Sequence, residues 1–303
     1  MAAIALLGCG VWGMKILEVL ISLGSRVVVF DPSPDRRARA KGIGALRVGE
    51  VFTHPDGFDG IVLATPASTH CRLLHELAPS GLPIFVEKPL TANLQEAHSL
   101  KVFVGKPIYM MHVWMYHPGI LKLAELVEEG RIGTLLTMRT IRANWTSPRQ
   151  DVDSVWNLVP HDLTIAKTIL GYIPEPRFAV AECHHGVCRE MVGFLGGNPG
   201  MWFEVSNRYP DKMRGVRVHG TAGVAVLRSE RALSIDLYLG DDLSDRAAIQ
   251  HLEVGFDPES ALELELREFI EFLQGGPAPR SSLIEGIEIC ETIQRIRSIA
   301  GLE

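Results

Sequence analysis

The sequence lacks the features that mark several classes of protein. Its five cysteines are odd in number and scattered, which argues against a disulfide framework. No apolar run approaches the roughly 20 residues that cross a bilayer, and the first residues show no basic region or cleavage site of a secretory signal. The formal charge of −6 comes without a basic stripe, which disfavours a nucleic-acid partner. We therefore expect a cytoplasmic protein that binds neither membranes nor nucleic acids.

The composition is typical of a globular protein, and the length favours two domains. Of the 303 residues, 47% are hydrophobic and 22% are charged, and one core rarely organises so long a chain. In the first third, short apolar runs such as Ala3–Leu7 alternate with helical patterns such as residues 12–23. This alternation predicts a parallel sheet covered by helices on both faces, a doubly wound Rossmann-type α/β domain over residues 1–117.

The pattern changes after residues 117–118. Eight strand-like runs lie between residues 135 and 254, and one helix interrupts them around His161–Leu170. We expect an α+β domain over residues 118–280 with a large, mainly antiparallel, open-faced sheet, and a terminal helix at 281–303 that packs back on the first domain. Apolar strand residues on an open sheet predict that another subunit covers it, giving a homodimer or homotetramer.

A glycine-rich turn carries the first functional signal. The pattern G-x-G-x-x-G at residues 8–13 follows a predicted strand and opens a predicted helix, and Asp31 ends the next strand. The three glycines permit the turn, the approach of a pyrophosphate and close helix–strand packing. Asp31 would accept hydrogen bonds from ribose hydroxyls and repel a 2′-phosphate. The sequence thus predicts NAD as cofactor, with NADP less favoured, although Arg36 and Arg37 lie nearby.

Further segments resemble a known family. Residues 64–70 read Ala-Thr-Pro-Ala-Ser-Thr-His, residues 86–90 read Val-Glu-Lys-Pro-Leu, and His-Pro at 117–118 leads into Gly-Arg-Ile-Gly at 130–133. In this order they resemble the glucose–fructose oxidoreductase/inositol dehydrogenase (Gfo/Idh/MocA) family. Residues 156–162 resemble its second motif, in which an Asp normally stands four residues before a catalytic His.

The resemblance implies an NAD-dependent oxidoreductase that transfers a hydride between nicotinamide and a secondary alcohol or ketone of a sugar, cyclitol or nucleotide-linked sugar. Lys88 would orient the reacting oxygen, and His161 would be the general acid/base. Asn157 stands where the family usually has Asp, and an amide orients an imidazole without stabilising its charged form by a full charge. Either His161 works with a lower pKa, or Asp153 or Asp162 substitutes, or activity is weakened.

The candidate site residues follow from these motifs. Those expected at the cofactor are Gly8, Gly10, Val11, Trp12, Gly13, Asp31, Ala64, Thr65, Pro66, His70, Glu87 and Lys88. Those expected at the substrate are Lys88, His112, Tyr116, Asn157 and His161. No metal is expected, because the metal-capable run at residues 183–188 joins two predicted strands, which favours a hairpin tip over a zinc site. The polar stretch that holds Trp145, Arg149 and Asp151 is where substrate-contacting loops are expected.

Two other functions stay open. A dinucleotide-binding sensor or regulator on the same fold would bind the cofactor without turnover. The presence of Lys88 and His161 disfavours that hypothesis, whereas Asn157 favours it. A glycoside hydrolase that works by redox elimination would retain NAD through turnover and release no net NADH.

Overall fold

The computed structural model describes residues 1–145, 152–240 and 245–302, which form two compact units. The first unit contains residues 1–113 and 260–290, and the second contains residues 114–259 and those from 291 onward. In the described ranges, no helix is long and apolar enough to span a membrane.

The elements are numbered in chain order. The strands are β1 (Ala3–Leu7), β2 (Arg26–Phe30), β3 (Arg47–Gly49), β4 (Gly60–Leu63), β5 (Ile84–Glu87), β6 (Ile108–Met111), β7 (Leu135–Ala143), β8 (Pro176–His184), β9 (Val187–Gly196), β10 (Gly200–Ser206), β11 (Met213–Gly220), β12 (Gly223–Leu227), β13 (Ser234–Leu239) and β14 (Gln250–Gly255). The helices are α1 (Val11–Ser22), α2 (Pro34–Ile43), α3 (Ala67–Leu77), α4 (Leu94–Ser99), α5 (Pro118–Glu128), α6 (Ser154–Leu170), α7 (Ala261–Leu273) and α8 (Leu283–Ile299).

The first unit is a Rossmann fold, which confirms the predicted parallel α/β sheet. Its six strands pair in the order β3-β2-β1-β4-β5-β6, and every pairing is parallel. All five residues of β1 are buried, as expected for a strand covered on both faces. The chain order reverses beside β1, and ligands of such sheets bind at the carboxyl ends of the strands around that point.

Helix α7 belongs to the core of the first unit. Its residues Leu262, Leu266 and Phe269 pack into the same hydrophobic cluster as α1 and β1. Phe269 stacks on Phe85 of β5, with ring centroids 4.8 Å apart. The sequence pattern predicts the apolar face of this helix but not the sheet that it covers.

The second unit contains the predicted, mainly antiparallel sheet. Its eight strands pair in the order β14-β13-β12-β11-β7-β10-β9-β8, with β7 and β10 parallel and the other pairs antiparallel. Helix α6 packs against β7, β9 and β10, and α5 packs against β12 and β13. Arg139, Trp202 and Arg217 on the sheet strands are exposed.

Helix α6 begins at Ser154, so the predicted start near His161 was wrong. Pro160 lies inside the helix, and proline is more often found at a helix boundary because it lacks an N–H donor. The helix starts earlier because the Asp153 side chain caps it, accepting hydrogen bonds from the amides of Val155 and Trp156 at 3.1 Å each. Asn157 and His161 therefore lie on one helix, a single turn apart.

Candidate active site

The glycine-rich turn is closely packed at two of its glycines and open at the third. Gly8 has a φ of +88°, and a Cβ added there would lie 2.6 Å from the Ala64 carbonyl oxygen. A Cβ on Gly13 would lie 2.3 Å from the Gly8 carbonyl oxygen, so both positions require glycine. A Cβ on Gly10 would meet nothing within 4 Å. The turn is thus closely packed at Gly8 and Gly13 and open at Gly10, where a pyrophosphate would approach.

The first turn of α1 is suited to an anion. Gly10 is the N-cap residue, no side chain caps it, and the first turn contains no acidic residue. The N–H groups at such a helix end and the positive end of its dipole favour phosphate. Val11, the first helical residue, is 86% exposed and leaves this end accessible.

Asp31 ties the glycine-rich turn to the end of β2. Its carboxylate accepts hydrogen bonds from the amide of Cys9 at 2.8 Å and from the amide of Ser33 at 2.9 Å. The Arg36 guanidinium lies 3.7 Å from the same carboxylate, and its side chain is 53% exposed. A carboxylate and a cation therefore stand side by side where a ribose 2′ position would be recognised.

His70 connects the loops that follow β4 and β5. Its ring is buried, with Nδ1 3.0 Å from the Pro89 carbonyl oxygen and Nε2 3.0 Å from the Thr65 carbonyl oxygen. Thr65 also accepts a hydrogen bond from the Thr69 hydroxyl at 2.7 Å. In this arrangement His70 holds the shape of the loop at Ala64–Pro66.

Glu87 organises the end of β5. It is only 8% exposed, and its Oε1 accepts a hydrogen bond from the indole N–H of Trp12. Its Oε2 accepts a hydrogen bond from the Lys88 amide at 2.9 Å, and the Lys88–Pro89 peptide bond is cis. Lys88 thus stands at the carboxyl end of a parallel strand, linked through Glu87 to the glycine-rich turn.

In the second unit, Asn157 and His161 are both half-buried on α6. Residues four apart on a helix share one face, so the two side chains lie on the same face of α6. The two carboxylates considered as substitutes for the missing Asp are engaged elsewhere: Asp153 caps α6 and pairs with Arg297, and Asp162 pairs with Arg142.

Arg142 and Asp162 form a buried ion pair that sequence reasoning missed. The Arg142 Nε lies 3.3 Å from Asp162 Oδ1, and the guanidinium stands over the Trp114 ring at 4.1 Å. Trp114 in turn stacks on His117, whose pKa burial lowers. Burial raises the pKa of Asp162, and the charge of Arg142 opposes that rise. No spacing rule signals Arg142, which stands within a strand among alternating residues.

The other predicted substrate residues are buried. His112 follows β6 in the first unit, and its Nδ1 lies 2.8 Å from the Ser281 hydroxyl oxygen. Tyr116 is 1% exposed in the second unit. Trp145 is 66% exposed, whereas Arg149 and Asp151 lie outside the described residues.

The run at residues 183–188 forms the predicted hairpin tip. Cys183 and Cys188 are opposite each other on β8 and β9, and the turn between the strands has positive φ angles at His185 and Gly186. Within the described ranges, no group of three or more His, Cys, Asp or Glu side chains is arranged to hold a metal ion.

Comparisons with known proteins agree with this architecture. Residues 3–113 match the family model GFO_IDH_MocA, described as an oxidoreductase family with an NAD-binding Rossmann fold. Inositol 2-dehydrogenase 2 of Saccharopolyspora erythraea is 25% identical over 255 residues, covering 72% of this chain and 74% of that protein. D-xylose 1-dehydrogenase (NADP(+)) 2 of Haloferax volcanii is 24% identical over 265 residues, covering 82% and 79%.

A solved structure shows the same fold over the whole chain. A levoglucosan dehydrogenase in complex with NADH and levoglucosan has a TM-score of 0.86 at 17% identity, covering 99% of this chain and 97% of that one. The Rossmann unit with its glycine-rich turn is of the class that the matching model describes, an oxidoreductase family with an NAD-binding Rossmann fold. More specifically, residues 3–113 match the Gfo/Idh/MocA family model, and the relatives aligned over most of the chain are sugar or inositol dehydrogenases. The motif-based prediction of the family is confirmed.

Proposed function

We propose that this protein is an NAD-dependent dehydrogenase that oxidises a secondary alcohol of a sugar or cyclitol, or reduces the corresponding ketone. The observation that carries the proposal is the hydrogen-bonded series Trp12–Glu87–Lys88. These hydrogen bonds link the family motif at residues 86–90, at the end of β5, to the glycine-rich turn at the same edge of the sheet. When bound, the nicotinamide supplies the hydride acceptor or donor.

In the proposed reaction, Lys88 binds the reacting oxygen and His161 transfers its proton. The Lys88 ammonium donates a hydrogen bond to that oxygen and favours loss of the hydroxyl proton. His161 accepts the proton in oxidation and returns it in reduction, because an imidazole titrates near neutral pH. The Asn157 amide orients the ring. An amide stabilises the imidazolium less than a carboxylate does, so His161 works as a weaker base than in the family's usual Asp–His pair.

NAD is the proposed cofactor because Asp31 presents a carboxylate at the end of β2. A carboxylate favours ribose hydroxyls and disfavours a 2′-phosphate. Arg36 is the feature that favours NADP, since its half-exposed guanidinium lies within 3.7 Å of that carboxylate. The proposed preference for NAD over NADP therefore depends on the negative charge of Asp31 outweighing the positive charge of Arg36.

The substrate class is proposed from the relatives. Those aligned over most of this chain are named as acting on inositol and on D-xylose, both polyhydroxylated rings. A nucleotide-linked sugar is the second candidate, because residues 156–162 resemble that branch of the motif. A UDP-N-acetylglucosamine 3-dehydrogenase of Acidithiobacillus ferrooxidans also shares the fold, with a TM-score of 0.81 at 19% identity over 98% of this chain and 97% of that one.

The test is to offer purified protein NAD with a panel of cyclitols, aldoses and nucleotide sugars and to follow the absorbance of reduced nicotinamide. We expect turnover with at least one polyol and a loss of at least about 100-fold in kcat for Lys88→Met and for His161→Gln, each with NAD still bound. Tight NAD binding without turnover across the panel would instead support a sensor. Product formation without net NADH would support redox elimination.

We also propose self-association through the sheet of the second unit. Trp202 is 37% exposed on β10, in contact with Phe194 at 4.7 Å between centroids and with the Arg139 guanidinium at 5.7 Å. Arginines on β7 and β11 adjoin glutamates on β10 and β9, so two copies in reversed orientation would pair opposite charges. A dimer or tetramer built on this face is the expected assembly.

A further inference from the structure

Glu265 is a fully buried acid on the apolar face of α7. It stands between Leu262 and Phe269 on a helix face that packs into the core of the Rossmann unit, and its exposure is 0%. Among the described residues neither carboxyl oxygen makes a hydrogen bond of normal geometry, and the nearest donor is the His112 amide. An ionised carboxylate in such a place is strongly destabilising, and the group avoids that penalty by keeping its proton.

The groups that face Glu265 come from three elements. They are Glu87 at the end of β5, Glu268 on α7 itself and the His112 amide after β6. Burial raises the pKa of Glu265 well above its ordinary value, the negative charges of Glu87 and Glu268 raise it further, and the His112 amide lowers it in part. Glu268 is also engaged with Arg280, whose Nε lies 3.2 Å from it.

Glu87 has the opposite environment. Its two oxygens accept hydrogen bonds from the Trp12 indole and from the Lys88 amide. Donors aimed at a carboxylate favour the ionised form. Two buried carboxyl groups therefore differ in their donors: the Trp12 indole and the Lys88 amide donate to Glu87, whereas the His112 amide alone offsets the burial of Glu265.

We propose that Glu265 is a positioning residue that keeps its proton so that Glu87 is the single anion of this carboxyl pair. With Glu265 neutral, Glu87 stays directed at Trp12 and at the Lys88 amide. Ionisation of Glu265 would set a second negative charge beside Glu87 and loosen both hydrogen bonds. The effect on catalysis rests on the proposed role of Lys88, whereas the proton and the Trp12 contact do not.

The first test measures unfolding of the cofactor-free protein as a function of pH. A carboxyl group with a raised folded-state pKa binds more protons in the folded state, so it lowers stability as pH rises from its unfolded value of about 4.3 towards its folded value. Glu265→Gln removes this proton linkage. We expect the melting temperature of Glu265→Gln minus that of the wild type to be smallest near pH 5 and to grow by about 2 °C or more per pH unit above it. A difference that is constant from pH 5 to 9 would overturn the proposal.

The second test follows the Trp12–Glu87 hydrogen bond through the fluorescence of Trp12. In cofactor-free wild type, we expect the fluorescence of Trp12, isolated by subtracting the spectrum of Trp12→Phe, to change on the alkaline side of the titration. The change should be absent in Glu265→Gln and present in Glu268→Gln, the matched control one turn further along α7. A Trp12 titration that persists unaltered in Glu265→Gln would refute the link between the two carboxyl groups.

The third test concerns turnover and separates this inference from the proposed activity. We expect the alkaline decline of kcat/KM in wild type to move to higher pH or vanish in Glu265→Gln, with Glu265→Asp showing the decline at a different pH. An alkaline limb that is identical in wild type and in both variants would contradict the inference. If the protein shows no turnover at all, the proposed function fails, but the melting and fluorescence outcomes still decide the state of Glu265.

Discussion

Asp162 directly follows His161 on α6, and its Oδ1 lies 3.3 Å from the Nε of Arg142 on β7, with both side chains buried. The pair joins the helix that carries the proposed proton acceptor to the centre of the eight-stranded sheet. Because Arg142 also stands over the Trp114 ring at 4.1 Å, its charge is enclosed on two sides.

Breaking this pair should destabilise the fold strongly. Asp162→Asn leaves the Arg142 charge buried without its counter-ion, and we expect the free energy of unfolding to fall by about 3–5 kcal/mol, measured by urea denaturation. Arg72→Ala, which breaks an exposed pair with Glu76 on α3, is the control and should change it by less than about 1 kcal/mol. Equal effects of the two variants would contradict the assignment of a buried pair.

Restoring the family's carboxylate should shift the pH dependence. Asn157→Asp places a negative charge one turn before His161, which favours the imidazolium and raises the pKa of the ring. Since the oxidation needs the neutral ring, we expect the acidic limb of kcat/KM against pH to move up by about one unit or more. An Asn157→Leu variant should not move the limb upward. If the pH profile of kcat/KM is unchanged in Asn157→Asp, His161 is not the base whose titration gives the acidic limb.

Removing the negative charge of Asp31 should weaken the proposed preference for NAD over NADP. In Asp31→Ser we expect the ratio of NAD to NADP affinity, measured by fluorescence titration, to fall at least about tenfold, because a charged hydrogen-bond acceptor is lost. Asp31→Asn is the matched variant, since its amide oxygen still accepts from a backbone amide at this position. The argument from Asp31 fails if the ratio is the same in wild type and in both variants.

Two glycines of the same turn should respond differently to alanine. Gly10→Ala meets no atom within 4 Å, so we expect a folded protein with NAD affinity lowered at least about tenfold by obstruction of the pyrophosphate. Gly8→Ala places a Cβ 2.6 Å from the Ala64 carbonyl at a φ of +88°, and it should lower the free energy of unfolding by about 2 kcal/mol or more. Undiminished NAD binding by Gly10→Ala would argue against this turn as the phosphate site.

The exposed sheet face should control assembly. We expect wild type to have the mass of a dimer or tetramer by light scattering, and Trp202→Ser combined with Arg139→Glu to have the mass of a monomer. Tyr172→Ser, at a residue that is 48% exposed just after α6, is the control and should leave the assembly unchanged. A wild-type protein that is monomeric at micromolar concentration would contradict the proposed self-association.

Local signals predicted the elements that depend on neighbouring residues. The range of β1 agrees with the apolar run Ala3–Leu7 read from the sequence, because burial of a continuous run is a property of the strand itself. The start of α6 was misplaced because Pro160 reads as a boundary. The side chain of Asp153 caps the helix ahead of this proline, and the structure is needed to show that cap.

The sequence by itself determined the dinucleotide turn, the alternation that forms a Rossmann sheet and the family motifs that hold Lys88 and His161. These signals are short in range, because glycine conformation, strand burial and motif spacing act within a few residues. Only the tertiary structure decided that Trp12 donates a hydrogen bond to Glu87, that Arg142 pairs with Asp162 and that Glu265 is buried within reach of the Glu87 charge. Each of these contacts joins distant parts of the chain, and its energy depends on burial that no local pattern specifies.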